Sequence, residues 1–166
     1  MAQVSHQLLN GPLDCGLRTL SILSELYPRS ADINELVMLD YMLIHSGDVL
    51  NGPPSLHPPS PLRSGEVAIR RQVIQEGLVL FQSRHLIVRT LTGRGFEYMA
   101  DDLAPAFLDV LRSPYQQGVR ERARWVAGIG RDLGWTELAK VFDDSLVRWR
   151  AEFAVLAGDE LTMGEP

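Results

Sequence analysis

The stretch of sequence that decides the fold lies between Leu62 and Ala100. Residues 66–99 read EVAIRRQVIQEGLVLFQSRHLIVRTLTGRGFEYM, a long helical pattern followed at once by two short β-rich runs. The two runs, 86–91 and 96–99, flank Thr92-Gly93-Arg94-Gly95, a turn of the kind that joins the strands of a β-hairpin. A helix that leads into a hairpin is typical of the third helix and the wing of a winged helix. Such a domain either reads nucleic acid or serves as a rigid docking block in a larger assembly.

Helical patterns dominate the rest of the chain. Asp32 and Glu35 have the spacing of a capping box, Gly47 is a plausible helix end, and Asp101-Asp102 and Ser113-Pro114 are plausible helix starts. A glycine-containing break is expected at residues 130–134. The predicted helices cover residues 13–26, 33–44, 64–84, 103–111, 115–129 and 136–157.

These patterns predict a mostly α (α+β) fold in three parts. Residues 1–100 would form a winged helix-turn-helix domain with a β-hairpin wing. Residues 101–158 would form a C-terminal helical extension, and residues 159–166 a disordered tail.

The bulk composition is that of an ordinary globular protein. Hydrophobic residues make up 45% and charged residues 22% of the 166 residues. No apolar run reaches the roughly 18 residues that span a bilayer, and the N-terminus has no secretory pattern. Cys15 is the single cysteine, so no intrachain disulfide can form. A cytoplasmic protein without a membrane segment is expected.

Positive charge is concentrated where nucleic acid would bind. The chain carries −5 overall, but residues 61–100 hold six Arg against three Glu. Such an island indicates an anionic partner, although it also arises by chance in a chain that uses arginine for most of its basic residues. Glu76, in the middle of the helix face, would repel phosphate. The candidate nucleic-acid contacts are Arg63, Arg71, Gln72, Gln75, Arg89 and Arg94.

Two other segments are candidates for contact with a protein partner. The second helix is apolar on nearly all sides, and Met38 and Met42 face away from its main stripe, towards a second layer of the fold or towards a partner. Half of the ten prolines lie between residues 53 and 61, which predicts either a polyproline-like arm offered to a partner or a strap across the domain. The candidate partner contacts are Met38, Met42, Pro53, Pro54, Leu56, His57, Pro58 and Pro59.

Asp40 falls inside the apolar stripe of the second helix. A buried carboxylate needs hydrogen bonds or an arginine, so we expect it to be paired and its loss to cost roughly 1–3 kcal/mol. Cys15 is expected to be a packing residue. His45 and His57 have no third ligand nearby, so neither a metal nor another cofactor is expected. No phosphate loop, zinc-protease motif or nucleophile elbow is present, and no catalytic residue is proposed.

Several motifs resemble the middle components of bacterial ABC three-component systems. They are 39–41 (LDY), 45–48 (HSGD), 52–59 (GPPSLHPP), 61–66 (PLRSGE), 92–96 (TGRGF) and 111–115 (LRSPY). The likeness covers roughly residues 15 to 130. It implies a non-enzymatic winged-helix subunit that works between an SMC-like ABC ATPase and an effector, often a nuclease. Such systems, of which Lamassu is the best known group, defend bacteria against phages and plasmids.

The sequence thus favours a non-catalytic adaptor in an SMC-type defence complex, with possible DNA contact inside that complex. The alternative is a winged-helix transcription regulator that binds DNA by itself. A small hydrolase is a third, weaker alternative, because no motif supports it. The effector, the stoichiometry and the invader sensed are left open by the sequence.

Overall fold

The computed structural model describes residues 10–58 and 63–162, apart from the side chains of residues 63–68 and 149–162. The helices are α1 (Pro12–Leu26), α2 (Ile33–Ile44), α3 (Arg63–Ser83), α4 (Ala104–Asp109), α5 (Pro114–Leu133) and α6 (Trp135–Thr162). A hairpin of β1 (Ile87–Thr92) and β2 (Gly95–Ala100) stands between α3 and α4. The predicted mostly helical α+β composition is confirmed.

Helices α1 and α3 cross at two facing glycines. A side-chain carbon on Gly77 would lie 2.6 Å from the carbonyl oxygen of Pro12 and 2.9 Å from the Cα of Gly16. On the other side, a Cβ on Gly16 would overlap the ring of Phe81. The absence of side chains at this crossing lets the two backbones approach closely, and this brings α3 onto the core.

Helix α2 lies at the centre of the fold. Its start is the predicted capping box, because the Asp32 side chain accepts from the Glu35 amide and the Glu35 side chain accepts from the Asp32 amide. From Leu36 to Ile44 every residue is buried. The predicted stop at Gly47 is wrong, because the helix ends at Ile44 and Gly47 lies inside a short 3₁₀ turn, Ser46–Asp48.

The hairpin has regular antiparallel pairing. The pairs run from Ile87 opposite Ala100 to Thr92 opposite Gly95, and the Thr92 hydroxyl donates to the Gly95 carbonyl at 3.0 Å. Outside the hairpin, Ala31 forms a single antiparallel bridge with Tyr98. The segment between α1 and α2 is therefore fixed to the second strand of the hairpin.

The C-terminal helices share the core of the preceding residues. Ser113 caps α5 as predicted, with its side chain accepting from the Gln116 amide. Leu103, with no side-chain cap, precedes α4, so the predicted caps at Asp101-Asp102 are wrong. The expected break at 130–134 is limited to Gly134, because helix α5 continues to Leu133.

One hydrophobic cluster extends from Cys15 to Phe142 and crosses the predicted boundary at residue 100. The division into a domain and an extension stays a prediction. Helix α6 continues to Thr162, past the expected start of the tail at residue 159, and residues 163–166 lie outside the described part. Among the described helices, none combines the length and the apolar composition that a membrane span requires.

Candidate functional site

A buried ion cluster lies where α1, α2 and α3 meet. The Asp40 carboxylate accepts from Arg18 Nε at 2.6 Å and Nη2 at 3.3 Å, and from Arg70 Nη1 at 2.7 Å. The side chains of Asp40 and Arg18 are 0% exposed, and that of Arg70 is 4% exposed. The expectation that Asp40 is buried and paired to a basic side chain is confirmed.

The pKa values follow from this pairing. Burial alone would raise the pKa of Asp40, but the two guanidinium groups outweigh it and hold that pKa below its usual value. Burial would likewise lower the pKa of Arg18, and the Asp40 carboxylate reverses this and raises it. Asp40 and Arg18 are therefore both ionised at neutral pH.

The cluster continues into a chain of polar contacts. Arg18 Nη2 lies 3.1 Å from the Cys15 sulfur, and Arg18 Nη1 lies 3.4 Å from the Tyr115 hydroxyl on α5. That hydroxyl is 2.8 Å from His57 Nε2. Burial raises the pKa of Cys15 to about 11 and also raises the pKa of Tyr115. Cys15 is thus a buried thiol that stays protonated at neutral pH.

The Pro-rich segment lies across the domain as a strap. We use "strap" for residues 51–58. The Pro54 carbonyl accepts from Arg122 Nη2 at 2.7 Å and Nε at 3.2 Å, and from the Ser46 hydroxyl at 3.2 Å. The Ser55 hydroxyl accepts from the Gly47 amide at 3.0 Å. Of the two interpretations of the prolines, these contacts favour the strap over the extended arm.

The end of the strap is held by the end of α2. The amides of Leu56 and His57 both donate to the Ile44 carbonyl, at 2.9 and 3.1 Å. His57 is 3% exposed, and its ring contacts Tyr115. The ring of His57 is therefore used inside the chain, and a partner role for this residue stays a prediction.

Other strap residues differ in exposure. Pro54 and Pro58 are exposed, while Pro53 and Leu56 are half-buried. Pro59 lies outside the described residues. A partner role for these residues stays a prediction. Pro54 and Pro58 are exposed, so they are the ones whose side chains a partner can reach.

Met38 and Met42 face a second layer of the same fold, which was one of the two alternatives, and a partner role for them stays a prediction. Met38 is 6% exposed and Met42 is 0% exposed. The physical reason is that α5 and α6 pack on the side of α2 that α1 and α3 leave open. A carboxylate introduced at Met42 would be buried and unpaired, so it would unfold the chain before it reported on any interface.

The candidate nucleic-acid residues of α3 are exposed. Arg71 donates to the side-chain oxygen of Asn34, Gln72 donates to Glu76 at 3.3 Å, and Gln75 is exposed. These positions share their helix face with exposed apolar side chains, Ile69 and Val79. The face is thus mixed in character and not the uniformly polar surface of a helix that reads DNA.

The candidate nucleic-acid residues of the hairpin also have partners within the chain. The Arg89 guanidinium lies 4.3 Å from the centre of the Phe96 ring. Arg94 pairs with Glu97, although its own side chain is 73% exposed. The side chain of Arg63 lies outside the described part. A nucleic-acid role for this set stays a prediction.

Arg71 and Arg94 come together at a groove that the sequence did not indicate. The groove has a volume of about 810 Å³. Helices α2 and α3 and the hairpin turn form one wall, and α6 forms the opposite wall. Trp135, at the start of α6, forms part of it, with the Arg29 guanidinium 4.1 Å above its ring. In residues 10–58 and 63–162, no group of three or more His, Cys, Asp or Glu side chains could hold a metal ion.

Residues 8–152 match the family model of the ABC-three component (ABC-3C) system Middle Component 2. The chain belongs to this family. Its membership confirms the resemblance to middle components that the motifs indicated. A Middle Component 2 is one part of a multi-component system, so partner subunits are implied. No curated protein and no solved structure matches the chain.

The family match includes the residues that meet at the buried cluster. Asp40, His57 and Tyr115, each within a motif that resembled middle components, lie on three different segments and come together around Arg18. Sequence reasoning missed Arg18 and Arg70 as the partners. The signal in the sequence was that both arginines stand among apolar helix positions, where an unpaired charge is costly.

Proposed function

We propose that this chain is a non-catalytic winged-helix adaptor that links an SMC-like ABC ATPase to an effector in an anti-phage or anti-plasmid defence complex of the Lamassu type. The observation that carries the proposal is the family match, which covers residues 8–152. The proposed complex acts in the cytoplasm, where invading DNA is accessible.

The arrangement of elements supports the winged-helix part. Within the described residues, the helices α1 to α3 precede the hairpin, and α3 leads directly into β1. The bridge between Ala31 and Tyr98 puts the segment between α1 and α2 beside the hairpin. A short third strand at that position is the arrangement expected of a winged helix-turn-helix.

The use of polar groups supports a non-catalytic role. The carboxylate of Asp40 is saturated by two arginines, and the thiol of Cys15 is buried and protonated. Both act inside the fold, where they join α1, α2 and α3. An adaptor needs such rigidity, because it must hold two partners in a fixed relative position.

The second candidate is a transcription regulator, and the exposure of Arg71, Gln72 and Gln75 on α3 is the observation that favours it. The net charge of −5 and the apolar Ile69 and Val79 on the same helix count against it. Binding of the isolated chain to duplex DNA separates the two. An adaptor should bind weakly at physiological salt, and Ala in place of Arg71, Arg89 and Arg94 should lower the salt dependence by about one unit for each arginine that touches a phosphate.

Co-purification with the products of the adjacent genes tests the adaptor proposal. The tagged chain should retain an SMC-like ATPase through a salt wash that removes non-specific contacts. Retention of no ATPase, together with tight binding to a palindromic site upstream of its own gene, would contradict the proposal and establish the regulator.

A further inference from the structure

The groove beside α6 has an apolar floor and a charged rim. Its apolar lining is contributed by α2 and α6, and consists of Val37, Met38, Ala139, Phe142 and Leu146. The described lining residues come from helices, from the segment before α2 and from the hairpin turn, and none belongs to β1 or β2. The groove therefore offers side-chain contacts and no open sheet edge along which an extended peptide would pair.

The groove charges near the start of α2 are already matched within the chain. Arg29 pairs with Glu35 at 2.6 Å, and its guanidinium covers the Trp135 ring. The Asp32 side chain accepts from the Glu35 amide at the start of α2. These charged groups are bonded to one another, so we expect them to contribute little to the binding of a charged ligand.

The remaining groove charges are arranged with opposite signs on opposite walls. Arg71 bonds to Asn34, an uncharged amide, so its positive charge is not balanced by that contact. Arg94, on the same wall, is paired with Glu97, as Arg29 is with Glu35, although its side chain is 73% exposed. Asp143 lies on the α6 wall. Arg71 therefore makes the α3 wall the positive one.

From these observations we infer that the groove binds an amphipathic helical segment of a partner subunit, with an acidic side chain towards Arg71. The inference rests on the proposed adaptor function and assigns one of its docking sites. A helix places apolar side chains at i, i+3, i+4 and i+7 along one stripe, and such a stripe fits an apolar floor between helices. A carboxylate beside that stripe would form charge-assisted hydrogen bonds with Arg71.

The same geometry disfavours duplex DNA as the occupant. A phosphate backbone that reached Arg71 through the groove would lie against the apolar floor and near the carboxylate of Asp143. Neither the apolar floor nor the Asp143 carboxylate can replace the hydrogen bonds to water that a phosphate group would lose there. DNA contact through the outer face of the hairpin would not involve the groove.

Selection of displayed peptides against the full-length protein tests the inference even while the partner is unidentified. The library consists of random peptides of about 16 residues, which allow about four helical turns. Selected peptides should carry apolar residues at helical spacing flanked by Asp or Glu. Enrichment of basic peptides, or of none, would overturn the inference.

Two variants and a matched control locate the binding site. Ala139→Trp fills the half-buried floor, and Arg71→Glu reverses a rim charge; each should weaken peptide binding about tenfold or more. Arg89→Glu makes the same charge change on β1, outside the groove lining, and should leave affinity within about twofold. Equal binding to Ala139→Trp, or displacement of the peptide by duplex DNA in wild type but not in Arg71→Glu, would overturn the inference.

Assembly with the co-purified ATPase and effector separates the two proposals. If wild type assembles and Ala139→Trp does not, the groove is a docking site. If both assemble with equal affinity, the groove inference fails while the adaptor function stands. If wild type itself does not assemble, the adaptor function fails whatever the peptides show.

Discussion

Asp40 places a negative charge at the centre of the molecule, where two arginines meet it. Its carboxylate receives three hydrogen bonds, from Arg18 and Arg70. Such a cluster adds little net stability compared with apolar residues, because three charges lose their water, but removal of one partner leaves the others unmatched. The cluster therefore specifies which helix surfaces meet, and it is sensitive to single substitutions.

Asp40→Ala should lower the free energy of unfolding by about 3–5 kcal/mol, because it leaves two buried guanidinium groups uncompensated. This exceeds the sequence-based expectation, which assumed one partner. Urea unfolding measures it. Replacement of Arg18, Asp40 and Arg70 together by Met, Leu and Met should cost less than the single change. An equal loss in the triple variant would show that packing, and not uncompensated charge, is responsible.

The contribution of Asp40 should also depend on pH. Its pKa in the folded chain lies below the ordinary value of 3.8, so the stabilisation is fully present above that value and is lost as pH falls through the folded pKa. The difference in unfolding free energy between wild type and Asp40→Asn should be constant from neutral pH to about pH 5 and shrink below about pH 4. A difference that stays unchanged down to acid-induced unfolding would contradict the assigned pairing.

At the scale of secondary-structure elements, the crossing of α1 and α3 depends on Gly77. Gly77→Ala would place a methyl group against the Pro12 carbonyl and Gly16, so overpacking should destabilise the chain by about 1–3 kcal/mol. Gly128→Ala is the matched control, because it lies within α5 with nothing within 4 Å of its Cβ position. By helix propensity it should stabilise by up to about 1 kcal/mol. Thermal unfolding that moves both variants in the same direction would refute the close crossing.

The strap is an element without regular structure that α5 holds in place. Arg122→Ala removes both guanidinium bonds to the Pro54 carbonyl. Amide hydrogen exchange at Leu56 and His57, which donate to Ile44, should then become faster, while exchange in α2 changes little. Arg120→Ala, which breaks only the surface pair with Asp109, should leave the strap unaffected. If the two variants gave the same exchange, Arg122 would not anchor the strap.

Local signals account for what the sequence predicted well. The capping box at Asp32, the hairpin turn at 92–95 and the need of Asp40 for a cation all follow from neighbouring residues or from burial in one stripe. The predicted break near Gly130 was wrong because that glycine makes room for Trp135: a Cβ there would lie 2.3 Å from the indole. Sequence reasoning took a packing glycine for a helix end.

Tertiary packing accounts for what the sequence could not predict. The burial of Met38 and Met42 depends on α5 and α6, which lie far along the chain from α2. Arg71, Arg94, Trp135 and Asp143 all line the groove. The periodicity of each helix by itself does not predict that these residues lie close together. Sequence reasoning therefore gave no information on the surroundings of the candidate site residues.

At the scale of the whole molecule, an acidic chain with a tightly joined core fits a docking subunit better than a DNA reader. The net charge is −5, and the polar residues at the centre connect four helices and the strap. What remains outside is a mixed helix face, a hairpin with exposed Leu91 and Phe96, and the groove beside α6. Two separate surfaces would let one small chain contact two partners at once.

Reconstitution of the complex with and without this chain tests the adaptor claim most directly. The proposed ATPase partner is immobilised, and capture of the proposed effector is measured in the presence and absence of the full-length chain, with Asp40→Ala as a misfolding control. We predict that the effector is retained only when the folded chain is present. Equal retention in its absence would contradict the claim that this protein joins the two.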